Sequence, residues 1–187
     1  MEQRTDEALA ADVAGGDAAA LRTLYERHER LTFNVLLRLT GNREAAQDLM
    51  QETFTRVWTM ARTFDPDRGR FKSWLVTIAL NLARSEMSKK RYAAVHVPAE
   101  AADGRGPQPE RPDDALVREE SSRRVAAALA CLSPLMREVV VMKVYQQLKF
   151  VEIARMTQTP EGTLKARFHR AVAELRGHLG VGGGGDR

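Results

Sequence analysis

Cysteine is nearly absent from this 187-residue chain, with Cys131 its only representative. A lone thiol can form no internal disulfide and cannot supply the several thiolates of a zinc cluster. We therefore expect a protein of a reducing compartment, the cytoplasm. No stretch reaches the roughly 18 consecutive apolar residues that a membrane-spanning helix needs. The start also has neither the basic nor the apolar segment of a signal peptide, so we expect no direct membrane insertion.

Charge of one sign does not dominate either. The chain has 29 basic and 25 acidic residues, a net charge of +4, and its composition is 43% hydrophobic and 29% charged. That balance excludes collagen-like and wholly disordered chains and allows one or two modest hydrophobic cores. A small basic surplus permits an anionic partner without requiring one, so the position of the charges has to decide.

Proline and glycine are concentrated in one segment. Four of the seven prolines lie between residues 97 and 113, beside Gly104 and Gly106, where large apolar residues are almost missing. From Glu100 to Glu120 acidic residues outnumber basic ones by four. This composition predicts a flexible acidic linker over 93–113. It separates two small domains, 1–92 and 114–179, and a glycine-rich tail over 180–187 is predicted to be disordered.

The apolar residues recur at three- and four-residue steps, and no segment alternates as a strand would. The pattern predicts one helix between a capping Asp17 and Gly41, a second from Asn42 to the turn DPDRGR, and a third from Phe71 toward SKKRY. The stripe of the second helix includes Leu49, Phe54 and Trp58. Further helices follow in 114–179, one of them from Ser133 and Pro134, as cap and first helical position, through about Tyr145. The expected fold class is all-α, with two small helical domains.

A short helix, a tight turn and a second helix are predicted in FVEIARMTQTPEGTLKARFHRAVAELRGHL, with Thr159 as N-cap and Pro160 at the first helical position. Leu164 and Phe168 begin the stripe expected to be buried. The opposite face is basic, as expected of a helix that enters the DNA major groove. Gly162 would allow close approach to the preceding helix or to a phosphate backbone. The competing interpretation is an ordinary helical hairpin with a solvated basic face.

The first domain carries two polar features. Carboxylates at four-residue spacing follow the helix NREAAQDLMQETFTRVW, and no histidine or cysteine lies near enough to suggest a catalytic or metal site. The helix from Phe71 ends in Arg84, Lys89, Lys90 and Arg91. Cations at a helix C-terminus can simply balance the dipole. Together with Asn81 they also form a surface suited to single-stranded DNA.

These segments, in this order, resemble a bacterial RNA polymerase sigma factor of the sigma-70 family. The resemblance rests on DLMQETFTRVW, FDPDRGRFKSWLVTIALNLARSEMSKKR, the Pro-rich linker, LSPLMREVVVMKVY and EIARMTQTPEGTLKARFHRA. The length and the absence of a middle domain resemble the extracytoplasmic-function (ECF) subgroup. The resemblance implies a factor that binds the polymerase core, directs it to promoters and melts the minus-ten element. It also implies that the protein is not an enzyme and has no catalytic residue, cofactor or metal.

In the first domain, the resemblance to sigma region two implies a polymerase-binding face and a minus-ten DNA surface. The polymerase-binding residues would be Asp48, Leu49, Gln51, Glu52 and Phe54. The minus-ten residues would be Asn81, at an extruded base, and Arg84, Lys89, Lys90 and Arg91, at backbone phosphates. Leu80 stands where the family frequently has an arginine. The loop 65–70 lies where the family has its base-specificity loop.

In the second domain, the resemblance to sigma region four implies a recognition helix for the minus-thirty-five element. The implied DNA-facing residues are Thr163, Lys165, Ala166, Arg167, His169 and Arg170. Arg170 is the best candidate for a bidentate contact with guanine, and Ala166 replaces the usual serine. The implied partners are the beta and beta-prime subunits of the polymerase core, promoter DNA and an anti-sigma factor.

Two other functions compete with this interpretation. A stand-alone homodimeric helix-turn-helix regulator would explain 114–179 but would leave the acidic and basic features of the first domain without a role. A soluble helical hydrolase would use the carboxylates of the second helix, but the sequence offers it no nucleophile, base or metal-ligand cluster.

Overall fold

The computed structural model describes residues 4–94 and 124–179, and side chains are described for 4–89 and 124–179. The chain divides into two compact units, residues 1–102 and 103–187. Every regular element within the described residues is helical, which confirms the all-α prediction. None of the described helices has the length and apolar character to cross a bilayer. The predicted linker, from residue 95 onward, and the tail 180–187 lie outside the described residues.

Within residues 4–94, the N-terminal unit has four α-helices. They are α1 Asp6–Ala14, α2 Ala18–Thr40, α3 Arg43–Met60 and α4 Phe71–Ala94, with a 3-10 turn at Ala61–Thr63. Side-chain caps set the predicted starts, because the Asp17 carboxylate accepts from the Ala19 and Ala20 N–H groups and the Asn42 amide oxygen from that of Ala45. Helix α2 ends at Thr40, and its C-cap is Gly41, whose left-handed backbone conformation favours glycine.

The core of this unit centres on the start of α4. Phe71 is fully buried, and its ring lies 5.5 Å from the His28 ring and 5.9 Å from both the Phe64 and Trp74 rings, centroid to centroid. Further along α4 nearly every side chain from Leu75 to Ala83 is buried, since α1, α2 and α3 all pack against this helix. Leu80 belongs to that core, so α4 presents a buried apolar side chain where the family frequently has an arginine.

The sequence patterns did not predict α1. This nine-residue helix begins at an N-cap, Thr5, whose hydroxyl accepts from the Ala8 N–H, and its first turn carries Asp6 and Glu7. Its apolar side chains Leu9, Ala10 and Val13 are buried. Only two of the nine residues, Leu9 and Val13, are large and apolar, so the periodic signal is weak. Packing against α2 and α4 supplies most of the stability that such a short helix needs.

The C-terminal unit contains α5 (124–131 within the described residues), α6 Pro134–Val140, α7 Phe150–Thr157 and α8 Glu161–Leu179. Leu129, Leu132, Val140 and Ala171 form one buried apolar cluster of this unit, and Leu164 is also fully buried. Arg137 on α6 donates to the carbonyls of Leu129, Ala130 and Leu132 at 2.8–3.2 Å and so satisfies the end of α5. Burial lowers the pKa of its guanidinium from the ordinary value.

Two details of the C-terminal unit differ from the sequence prediction. The segment expected to continue α6 as an ordinary helix through Tyr145 is a π-helix at Val141–Tyr145. Helix α8 begins at Glu161, and the Pro160 carbonyl accepts its first intrahelical bond, from Leu164. Pro160 therefore precedes the first helical residue, while the Thr159 hydroxyl donates to the Thr157 carbonyl. Both differences are local and leave the predicted helix-turn-helix in place.

Candidate nucleic-acid and protein interfaces

Helix α3 carries the acidic ridge, which we define as Asp48, Gln51 and Glu52. All three side chains are exposed. Asp48 and Glu52 are one helical turn apart and so lie on the same side of the helix. Glu52 accepts from Arg56 at 2.8 Å, but both side chains are about half exposed, so the pair adds little to folding stability. The acidic ridge is therefore available to a partner.

The other two residues predicted for the polymerase-binding face, Leu49 and Phe54, are buried. The Phe54 ring packs against Tyr25 of α2 with 4.8 Å between ring centroids. These side chains hold α3 against α2 and do not reach the surface of the isolated unit. Their burial in the free unit places them beneath the acidic ridge, and their assignment to the polymerase-binding face stays a prediction.

Trp58 of α3 is more exposed than the sequence pattern predicted. It was counted in the apolar stripe, yet 39% of it is exposed. It follows Gln51 by seven residues, so it continues the acidic ridge along the same side of the helix. Exposed tryptophan beside carboxylates is typical of a binding surface, because a large apolar ring gains most when a partner covers it. Only this exposure, which sequence periodicity does not give, makes Trp58 a candidate contact residue.

Helix α4 presents the predicted minus-ten residues from Asn81 onward. Asn81 and Lys89 are exposed, and Arg84 is half-buried. Their spacing places them along one side of α4, while Phe71, Leu75 and Ile78 are buried. The side chains of Lys90 and Arg91 lie outside the described residues. Asn81 thus has a rigid backbone beneath it and an open side chain that can pair with a base edge.

The loop 65–70 precedes α4, and each of its residues is exposed. The Asp65 side chain accepts from the Asp67 N–H at 3.0 Å and the Asp65 carbonyl from the Arg68 N–H at 3.1 Å, which fixes a local turn. Arg70 ends the loop, and its carbonyl accepts from Ser73 and Trp74 at the first turn of α4.

Helix α8 carries the predicted minus-thirty-five residues. Thr163, Lys165, Ala166, His169 and Arg170 are exposed and Arg167 is half-buried. On the opposite side, Leu164 and Ala171 are fully buried, and Phe168 packs against Phe150 of α7 with 5.7 Å between ring centroids. The sequence prediction of a buried stripe and an open basic face is therefore confirmed for this helix.

Two lysines lie near the face of the Phe150 ring. Lys143 Nζ is 5.0 Å and Lys165 Nζ 6.0 Å from its centroid, which is within the range of a cation–π interaction. Lys165 also forms an ion pair of 2.7 Å with Glu161 one turn earlier. Both side chains of that pair are about half exposed, so a DNA phosphate can compete for the lysine.

Gly162 stands in the first turn of α8. A Cβ placed there would meet no atom within 4 Å. The expectation that this glycine allows close approach of the preceding helix is therefore wrong. The second half of that expectation, close approach of a phosphate backbone, stays a prediction, and the space that it needs is open.

Within residues 4–89 and 124–179, no group of three or more His, Cys, Asp or Glu side chains could hold a metal ion. Burial acts to raise the pKa of Asp6, but hydrogen bonds from Arg27 and His28 outweigh it, so the pKa lies below its ordinary value. Asp6 belongs to α1 and is not one of the residues of the acidic ridge or of the predicted DNA-facing residues.

Two family models match the chain in the order expected. Sigma-70 region 2 matches residues 24–92, and Sigma-70, region 4 matches residues 122–175. The first match contains α3, the loop 65–70 and α4 as far as the basic end, and the second contains the helix-turn-helix of α7 and α8. The ECF RNA polymerase sigma factor SigL of Mycobacterium tuberculosis is 34% identical over 167 residues, which cover 87% of this chain and 90% of SigL.

Solved structures show the same likeness. One, described as CnrH in complex with the cytosolic domain of CnrY, is 27% identical, with a TM-score of 0.68, and the match covers 95% of this chain and 99% of the other. The second is the sigma factor RpoE in complex with the anti-sigma factor NepR from Bartonella quintana. It is 23% identical, with a TM-score of 0.69 and coverage of 86% and 96%, and shows a shared fold.

Proposed function

The chain belongs to the extracytoplasmic-function sigma factors of the sigma-70 family, which direct RNA polymerase to promoters, and we propose that its two units divide this task. We assign region two to 1–92, region four to 114–179 and the tether between them to the acidic segment 93–113. The observation that carries the proposal is the separation of faces on α8, where five of the six predicted DNA contacts are exposed and the sixth, Arg167, is half-buried, while Leu164 and Ala171 are buried.

The N-terminal unit has two tasks in this proposal. The acidic ridge and the exposed Trp58 bind the polymerase core, at its beta-prime or beta subunit. Asn81 then accepts an extruded minus-ten base, while Arg84, Lys89, Lys90 and Arg91 neutralise phosphates. Unpairing costs a few kcal/mol per base, and contacts with the separated strand offset that cost. The sigma chain carries out no bond chemistry, so the catalyst is the polymerase.

The C-terminal unit reads the minus-thirty-five element by placing α8 in the major groove. Arg170 pairs with a guanine, and Lys165, Arg167 and His169 contact phosphates or base edges. Ala166 has no hydrogen-bonding group, so its methyl suits a thymine methyl. Thr163 lies near the amino end of the helix, where side chains and backbone N–H groups meet the DNA backbone.

Two further statements complete the proposal. The protein acts in the cytoplasm, where the polymerase and the DNA are. An anti-sigma factor holds it inactive by covering one or both units, as the complex of RpoE with NepR suggests for a chain of the same fold.

A pull-down with core polymerase tests the protein-binding half. Charge reversal at Asp48 and Glu52 removes two carboxylates from the acidic ridge, and we expect the affinity for core polymerase to fall at least tenfold. The matched control reverses Glu26 and Glu29, which are exposed on α2. If the Asp48 and Glu52 variant binds core polymerase as the wild type does, the assignment of the acidic ridge is overturned.

Promoter opening tests the DNA-binding half. Run-off transcription on a library of genomic fragments should return a promoter with two elements when core polymerase and this chain are both present. On that promoter, Asn81→Ala should reduce permanganate reactivity of the opened strand more than it reduces closed-complex formation. Equal losses would contradict base capture by Asn81. A footprint on a palindrome without polymerase would instead favour the homodimeric regulator.

A further inference from the structure

The loop 65–70 is closed at its base by two aromatic rings. Phe64 precedes the loop and Phe71 follows it, and their centroids lie 5.9 Å apart at an interplanar angle of 84°. Phe71 is fully buried and Phe64 is partly buried, whereas all six residues between them are exposed. The position of the loop therefore depends on how the two flanking segments are held.

Helix α1 holds both flanking segments. Before the loop, Arg62 Nε donates to the Ala14 carbonyl at the end of α1, at 3.2 Å. After the loop, the Phe71 N–H donates to Glu7 Oε1 near the start of α1, also at 3.2 Å. The second bond caps α4 from another helix, since that N–H has no partner within α4. A carboxylate at this end also interacts favourably with the helix dipole.

Helix α1 is itself fixed to the long helix α2. Asp6 Oδ1 accepts from Arg27 Nη1 at 2.8 Å, and Asp6 Oδ2 lies 2.7 Å from His28 Nε2. The His28 ring in turn packs against Phe71. Two neighbouring carboxylates, Asp6 and Glu7, therefore connect α1 to α2 and to the first residue of α4.

We propose that α1 is a positioning element for the loop 65–70, with Glu7 and Arg62 as the positioning residues that fix its two ends. The inference rests on the proposed function, in which this loop and Asn81 meet the minus-ten strand. Helix α1 lies before residue 24, where the match to the region 2 family model begins. Side chains that contact bases discriminate between them only when they are held in a fixed geometry. Loss of the contact at either end of the loop 65–70 should therefore weaken the preference for particular minus-ten bases.

The experiment uses the full chain with core polymerase and a promoter library that varies only the minus-ten element. Transcripts are sequenced to obtain the preference for each base. Glu7→Ala removes the acceptor at Phe71, Glu7→Gln keeps a side-chain oxygen there, and Arg62→Ala releases the other end. Glu26→Ala is the control, because Glu26 is exposed and pairs only loosely, at 3.7 Å, with Arg22. Thermal unfolding of each variant is recorded in parallel.

We expect Glu7→Ala and Arg62→Ala each to relax the minus-ten preference about fivefold, the low end of what one hydrogen-bonded contact contributes. Glu7→Gln should recover most of the preference, and the choice of upstream element and the core affinity should not change. If both alanine variants keep the wild-type preference and only unfold at lower temperature, α1 merely stabilises the fold and the inference is overturned. If the wild type itself starts no transcripts with core polymerase, the proposed function fails instead.

Discussion

The two units hold their candidate DNA surfaces in different ways. In the N-terminal unit the loop 65–70 and the start of α4 are tied to α1, and the Glu7–Phe71 contact joins residues 64 positions apart. In the C-terminal unit the DNA-facing side of α8 has the Glu161–Lys165 pair within one helix, and α8 is held by its apolar side through Leu164 and Phe168. Polar contacts between helices hold the first surface in place, whereas the second surface is the open face of a helix that is held by its apolar side.

This difference fits what each surface has to do. A helix in the major groove needs only its shape and a row of side chains that can adjust to the bases. A surface that holds separated bases must keep a loop and a helix in register, because an extruded base fits only a preformed pocket. We therefore expect substitutions at Glu7 and Arg62, which tie the loop 65–70 to α1, to change the choice of minus-ten bases. On α8 only substitutions of the residues that contact DNA should change the choice of minus-thirty-five bases.

The largest effects should come from the two cores. Phe71→Ala should lower the free energy of unfolding of the N-terminal unit by about 3–5 kcal/mol, and Leu164→Ala should lower that of the C-terminal unit by about 2–5 kcal/mol. Both tryptophans, Trp58 and Trp74, lie in the N-terminal unit. Urea unfolding followed by tryptophan fluorescence therefore reports on that unit, while circular dichroism at 222 nm, roughly the helix minimum, reports on both.

The matched comparison is the fluorescence transition of Leu164→Ala. It should superimpose on that of the wild type, with the loss of stability visible only by circular dichroism. A shift of the fluorescence midpoint in this variant would contradict the division into two units.

Arg170 should have the next largest effect. Arg170→Ala should lower discrimination at one position of the minus-thirty-five element by about 1–3 kcal/mol, roughly 5- to 150-fold. Lys89→Ala, which removes an exposed cation from α4, is the comparison, because a phosphate contact weakens all sequences alike and reduces the salt dependence. Binding of holoenzyme to promoter variants at several salt concentrations distinguishes the two. Identical behaviour of these variants would contradict the assignment of base and phosphate contacts.

The sequence was most informative where structure is local. Asp17, Asn42 and Gly41 marked helix ends through caps formed with their own neighbours, and the structure has those caps. The buried and open sides of α8 followed from the 3.6-residue period. In both cases the energetic cause lies within a few residues of the signal, so a pattern in the chain can display it.

Contacts between distant segments were beyond the reach of the patterns. Helix α1 gave too short an apolar pattern to be found, and the contact from Glu7 to Phe71 depends on how two helices pack. Trp58 and Leu49 shared one apolar stripe, but only Leu49 is buried. A stripe shows which side of a helix is apolar, while the width that neighbours cover depends on tertiary packing.

Trp58 should have a smaller effect, of at least about 1 kcal/mol, on polymerase affinity. Because its ring is partly exposed beside the acidic ridge, Trp58→Ala should weaken core binding while costing the isolated chain little stability. The measurement is a titration of core polymerase against labelled protein. Met60→Ala serves as the control, since Met60 is exposed to the same extent. Equal losses in both variants would indicate a general apolar effect and not an anchor at Trp58.

The pH dependence of folding stability tests the contacts of Asp6 that fix α1 to α2. Its pKa lies below the ordinary value in the folded protein, so its contacts stabilise the folded state at neutral pH. That stability is lost as the pH falls below the unfolded value of about 3.9 and through the folded one. Asp6→Asn should therefore lower stability by about 1 kcal/mol at pH 7, and the gap to the wild type should narrow below about pH 4. Urea midpoints from tryptophan fluorescence measure it, and a gap independent of pH would show that charge at Asp6 is not the cause.

Gly162 gives the smallest effect and separates folding from binding on α8. A Cβ at this position meets nothing in the free protein, so Gly162→Ala should leave the fold unstrained and stabilise α8 by up to about 1 kcal/mol. If a DNA phosphate approaches the first turn of α8 closely, the same methyl group should weaken binding to the minus-thirty-five element several-fold. Gly177→Ala is the matched control, because it also adds a methyl group to an open position of α8, but fifteen residues nearer the C-terminus. Both variants should therefore be as stable as the wild type or more so, while only Gly162→Ala should bind promoter DNA less tightly. The expected changes are a gain in stability and a loss of affinity for DNA. If Gly162→Ala instead raises both the stability and the affinity, the phosphate backbone lies elsewhere on this face of α8.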